Sequence, residues 1–174
     1  MNTLSYLFNR LAVWLSSASS WLLVIIGAAM SVIVFLQVVF RFVIYVPFPW
    51  SEEIARYLMI WMGMLGSVVA LNKGRHIGVT VIVERLPPKV YALLIPVIQL
   101  IMVFFLLVIF KEGLSMAVFN ASQRSPAMEI PMFYPYLAIP AGAALMIVEM
   151  IADILHRFFP TEAGSRRGVS SAML

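Results

Sequence analysis

Residues 37–76 read QVVFRFVIYVPFPWSEEIARYLMIWMGMLGSVVALNKGRH, and the placement of charge in this stretch decides the fold. An apolar run carries one guanidinium, Arg41, near its end. A short turn with Pro47 and Pro49 follows, and the next run opens with Trp50, Ser51, Glu52, Glu53 and Arg56. Antiparallel helices joined so tightly bring their adjoining ends together, so Arg41 and the two glutamates are expected at similar depth, with Glu53 as the first partner of Arg41. A charge at the centre of a bilayer costs roughly 2.5–3.5 kcal/mol, so charges gathered at one turn mark a membrane hairpin with its bend at an interface.

The composition extends that reading to the whole chain. Of 174 residues, 63% are hydrophobic and 11% charged, against a charged share of about 25% in soluble domains. A soluble core of this length has no room for so much apolar surface, which lipid accepts without cost. The absence of cysteine excludes disulfides, iron–sulfur clusters and haem attached through thioethers. No basic stripe suits nucleic acid.

Four apolar runs are each long enough to cross about 30 Å of hydrocarbon, which takes about 20 residues. They lie at about 21–45, 53–72, 90–112 and 130–155, within a four-helix transmembrane domain over residues 17–157. The expected fold is all-α, with short interfacial helical segments added. Residues 1–16 are read as a retained interfacial segment, with Leu4, Leu7, Phe8, Leu11 and Leu15 at helical spacing, and residues 158–174 as a polar tail. Arg10, Lys73, Arg75, Arg85, Lys89, Arg157, Arg166 and Arg167 fall on one side of such a bundle. The positive-inside rule then puts both termini in the cytoplasm, with membrane lipids around the spans.

Small residues suggest where helices meet. Gly63 with Ser67 and Gly66 with Ala70 have small-xxx-small spacing, as do Ala138 and Gly142, and backbones approach closely at such positions. Ser51 is placed to cap the second helix, the glutamates suit its positive end, and both stand within reach of Arg56. Adjacent glutamates point about 100° apart on a helix and do not form a facing acid/base pair, so their role is read as structural. Lys73, Arg75, His76 and Arg85 form a basic cytoplasmic loop. Glu149 and Asp153, four apart in the last run, are expected to pair with that loop. No metal-binding, phosphate-binding or nucleophile motif appears, and neither a catalytic centre nor a cofactor is expected. The rival reading is a haem-binding membrane anchor of an oxidoreductase, with His76 and His156 as axial ligands.

The motif order resembles a known family. Arg41, then Pro49-Trp50-Ser51-Glu52-Glu53, Arg56, Trp61 and Gly66, then Lys73-Gly74-Arg75-His76-Ile77 with Leu86-Pro87, is similar to the small, Q-type membrane subunit of tripartite ATP-independent periplasmic (TRAP) transporters. One departure is Thr80, where an acid is expected after His-Ile-x-Val. The resemblance implies a non-enzymatic subunit of the bacterial inner membrane. Its implied partners are a large multi-span subunit that carries organic acids with sodium ions and a periplasmic substrate-binding protein. The small subunit would act as a static scaffold for elevator-type movement and help to dock the binding protein. Arg41, Trp50, Ser51, Glu52, Glu53 and Arg56 would then serve the hairpin and the subunit interface, and the choice of organic acid would rest with the partners.

Overall fold

The computed structural model describes the backbone of residues 3–46, 48–72 and 88–158, with side chains at residue 10 and at 14–46, 48–72, 90 and 94–154. The first proline in the sequence is Pro47, so nothing earlier withdraws a backbone N–H from a helical ladder. Helix α1 accordingly runs unbroken over Thr3–Val39. It passes without a break through the expected boundary at residues 16 and 17. At 37 residues and 1.5 Å per residue it is roughly 55 Å long, well beyond the thickness of the hydrocarbon.

The end of α1 is irregular. Phe40–Ile44 form a π-helical turn, and Tyr45 closes it in the left-handed region (φ 60°). Phe40 stacks on Phe48, with centroids 4.6 Å apart, and Phe48 meets Trp50 at the same separation. These rings hold the bend against the start of α2, Pro49–Asn72. Proline at the first helical position is favourable because its missing N–H has no partner to lose there.

Helix α3 spans Pro88–Phe119 and α4 spans Phe133–Phe158. The connection between them is a small hairpin. Arg124 and Pro131 form an antiparallel bridge, the Ser125 N–H donates to the Ile130 carbonyl at 3.0 Å, and the Met132 N–H donates to Gln123 at 2.9 Å. Because residues 130–132 are engaged there, α4 starts three residues later than the apolar run suggests. Glu129 turns the hairpin with φ 54°.

Helix α4 is the centre of the bundle, since α1, α2 and α3 all pack against it, and α1 also packs on α2. Buried Leu65 and Val68 of α2, Leu106 and Ala117 of α3, and Ala138, Ala143, Met150 and Ala152 of α4 form the dry interior. Two glycines permit the closest approaches. A Cβ on Gly142 would lie 2.8 Å from Cβ of Met64, and one on Gly113 would lie 3.0 Å from Ile139. Four helices among the described residues are long and apolar enough to cross a membrane, so the chain is an all-α multi-pass membrane protein.

Candidate functional site: a polar clamp at one end of the bundle

The end where α1 meets α2 and α3 meets α4 holds a cluster of polar groups around Glu53. Its Oε2 accepts from the Ala127 N–H at 2.9 Å and the Met128 N–H at 3.2 Å, while Oε1 accepts from the Tyr57 hydroxyl. Tyr57 also lies 3.4 Å from the Met132 sulfur. The Ser125 hydroxyl is buried beside the same carboxylate without reaching hydrogen-bond geometry. One side chain on α2 therefore fastens a hairpin that is 74 residues away in sequence. A carboxylate is suited to this because it presents about four acceptor positions and no donor to clash with incoming N–H groups.

Arg41 lies outside the clamp. The expected ion pair with Glu53 or Glu52 is not formed, and Arg41 sits exposed with its guanidinium 5.6 Å from the ring centre of Phe42. The π-turn at Phe40–Ile44 is the local difference from the continuous α-helix that the pairing assumed. Glu53 is meanwhile occupied by Tyr57 of α2 and the hairpin N–H groups of Ala127 and Met128, and Glu52 pairs with Arg56 at 3.2 Å across one helical turn. Glu53 does not share Arg56, contrary to expectation. Ser51 does not cap through its acceptor oxygen. The helix begins two residues earlier, and the buried Ser51 hydroxyl donates to the Phe48 carbonyl at 2.6 Å. Trp50 contributes its ring to the stacked bend.

Between the first turns of α2 and α4 lies a cleft of about 510 Å³. Its polar rim includes Glu52, Glu53 and Arg56, and its apolar wall includes Ile60, Pro135 and Ile139.

The expected helix contacts are redistributed. Gly63, Ser67 and Ala70 are exposed, and a Cβ on Gly63 or Gly66 would meet nothing within 4 Å. Within this chain α2 packs instead through Met64, Leu65 and Val68, the helix faces that carry bulk. At the opposite end of the bundle, Asn72 donates to Glu149 at 2.5 Å and Gln99 donates to Asp153 at 2.6 Å. Amides from α2 and α3 thus bond the two α4 carboxylates that were expected to face the basic loop. Lys73, Arg75, His76 and Arg85 fall outside the described residues, as does the His156 side chain.

Tyr57, Ala127, Met128, Asn72 and Gln99 escaped the sequence reading. A backbone N–H carries no residue signature. Pro126 and Pro131 bracketing a short segment were the available hint of a tight turn.

Comparison with known proteins agrees with this architecture. Residues 30–159 match the family of tripartite ATP-independent periplasmic transporters, DctQ component. A TRAP transporter small permease protein of Haemophilus influenzae is 33% identical over 156 residues, covering 87% of this chain and 97% of the relative. The C4-dicarboxylate TRAP transporter small permease protein DctQ of Rhodobacter capsulatus is 29% identical over 99 residues, covering 56% of this chain and 44% of the relative. The isethionate TRAP transporter permease protein DctMQ of Oleidesulfovibrio alaskensis is 28% identical over 107 residues, which are 60% of this chain but 17% of that longer permease. Membership of a permease family displaces the haem-anchor reading and makes the chain a transport component rather than an enzyme. With its four membrane-crossing helices and these relatives, the chain belongs to the DctQ component family of TRAP transporters and is a multi-pass small permease subunit of the bacterial inner membrane.

Proposed function

We propose that this chain is the static scaffold of a sodium-coupled, binding-protein-dependent TRAP transporter for organic acids such as C4-dicarboxylates or sialic acid. It supports a large transport subunit and helps to dock the periplasmic binding protein. The observation that carries the proposal is the use made of its carboxylates. Glu53 is bonded by Tyr57, Ala127 and Met128, Glu149 by Asn72, and Asp153 by Gln99. The bonds from Ala127, Met128, Asn72 and Gln99 each tie one part of the bundle to another, with Tyr57 bracing Glu53 from within α2, which is the work of a frame and not of a moving ion-binding site. The bias of Lys and Arg in the sequence supports cytoplasmic termini. The hairpin at 123–132 then faces the periplasm, where a soluble binding protein approaches. That the matched segment is a small part of one longer permease supports partnership with a larger transport body.

Reconstitution into vesicles separates the parts of this reading. With a sodium gradient, the binding protein and the large subunit, uptake of a radiolabelled C4-dicarboxylate or sialic acid is expected only when this chain is present. Uptake by this chain alone, or full uptake by the large subunit without it, would overturn the scaffold role.

A further inference from the structure

The outward faces of the helices differ in kind. On α1, Val24, Ile25, Val32 and Phe35 point outward, and on α3, Leu100, Ile101, Phe104 and Phe105 do so, with Phe104 70% exposed. Bulky side chains of this sort suit lipid. On α2 the outward positions Glu52, Arg56, Met59, Gly63 and Ala70 are exposed, with Gly66 half-buried among them. Their spacing alternates four and three residues, which keeps them on one seam of the kind along which two helices cross at a small angle. The seam is about 27 Å long at 1.5 Å per residue. Below Met59 it carries no bulk, and an added Cβ at Gly63 or Gly66 would meet nothing within 4 Å.

A second observation lies at the head of the seam. Arg56 is seven residues into the helix, about 10 Å along its axis, and its side chain is 64% exposed. Among the described residues its one hydrogen bond runs from Nη2 to Glu52 Oε1 at 3.2 Å. A guanidinium has five N–H donors in a fixed fork, and with one of them on Glu52 the exposed remainder is open to acceptors from outside the chain. Arg56 also lines the open cleft, together with apolar Ile60, Pro135 and Ile139.

We propose that the outward face of α2 over residues 52–70, with the cleft at its head, seats a transmembrane helix of the large permease subunit, which supplies an acceptor to Arg56. This inference rests on the TRAP-subunit reading above and adds the surface. The occupant is a permease helix because, in one relative, a 107-residue segment similar to 60% of this chain forms 17% of a longer permease, so that there a larger permease body adjoins the matched segment. Close approach of two backbones recovers the packing that small residues forgo against fluid acyl chains.

The chain has no cysteine, so single cysteines report cleanly. The test places Gly63→Cys, Ser67→Cys or Ala70→Cys in the chain, with Phe35→Cys and Phe104→Cys as lipid-facing controls. Each is labelled with benzophenone maleimide in membranes that also hold the large TRAP permease subunit from the same genome. Photolysis should join the two subunits from positions 63, 67 and 70 at least fivefold more than from 35 and 104. In parallel, Gly63→Leu with Gly66→Leu should melt like wild type when purified alone, yet recover at least tenfold less large subunit, and Arg56→Ala should recover less than wild type.

Equal cross-linking from all positions, adducts between two copies of this chain, or adducts with lipid alone would overturn the proposal. So would undiminished recovery of the large subunit by the double leucine variant, or unfolding of that variant on its own, since the face would then be filled from within. If wild type recovers no large subunit, the scaffold reading falls and this inference with it. If wild type recovers it but cross-links from another face, this inference falls alone.

Discussion

The Ala127 N–H donates to Glu53 Oε2 at 2.9 Å, joining the first turns of α2 to a hairpin that lies between α3 and α4. Together with the Met128 N–H at 3.2 Å and the Tyr57 hydroxyl, this contact fixes the end of the bundle that faces the proposed periplasmic partner. Glu53→Ala is expected to lower the thermal midpoint of the detergent-solubilised subunit and to raise proteolysis of the hairpin at 123–132. Glu53→Gln should fall between that variant and wild type, because one amide oxygen remains to accept while the amide nitrogen faces another donor. Tyr57→Phe removes one of the three bonds and should cost about 1 kcal/mol. Circular-dichroism melting with limited proteolysis checks all three, and wild-type behaviour of Glu53→Ala would refute the clamp.

Arg41 should prove nearly silent in the isolated subunit. It is exposed, with its guanidinium 5.6 Å from the ring centre of Phe42. Arg41→Ala is expected to change stability by no more than about 0.5 kcal/mol. A double-mutant cycle with Glu53→Ala should give coupling near zero. Coupling of 1 kcal/mol or more would mean that the pair forms in solution after all.

Two glycines should respond with opposite sign to the same change. At Gly142 an added Cβ would lie 2.8 Å from Cβ of Met64, an atom next to the backbone that has little freedom to withdraw. Gly142→Ala should therefore destabilise by about 1–3 kcal/mol, the usual range for overpacking. At Gly63 the added methyl meets open space. There the gain in helix propensity, up to about 1 kcal/mol, is expected to leave the isolated subunit unchanged or more stable. Thermal midpoints of the two variants, measured side by side, decide the matter.

The proposed topology makes a prediction about reporters. An alkaline phosphatase fusion, active only outside the cytoplasm, should be silent after Leu174 and active when inserted at Ser122, near the start of the α3–α4 connection. The reverse pattern would invert the bundle and place the Glu53 end in the cytoplasm.

The four-helix architecture was legible because a membrane span writes itself into about 20 consecutive residues, and few soluble structures mimic that run. The charged hairpin was legible too, since Glu52 and Arg56 stand four apart and do pair. What failed was facing. Arg41 and Glu53 meet at the same bend, yet the π-turn at Phe40–Ile44 and the left-handed Tyr45 have no signature in composition. The small residues of α2 were read as internal contacts because spacing alone does not say which helix a face meets. A Cβ on Gly142 in α4 would meet Met64, whereas one on Gly63 in α2 would meet nothing within 4 Å. The partners of Glu53 were largely illegible, because two of them are backbone N–H groups supplied by a turn.

The bonds at the two ends of the bundle bear on how the protein is made. Each helix is apolar enough to enter the bilayer by itself, so insertion does not await Glu53, Asn72 or Gln99. Those groups find their partners only after the helices are already in the membrane and begin to associate. A variant that lacks one of them should thus thread the membrane in the normal order and orientation, then linger as loosely associated segments open to membrane proteases. The defect would be read as low abundance of a correctly inserted chain, a fault of assembly that hydropathy gives no reason to suspect.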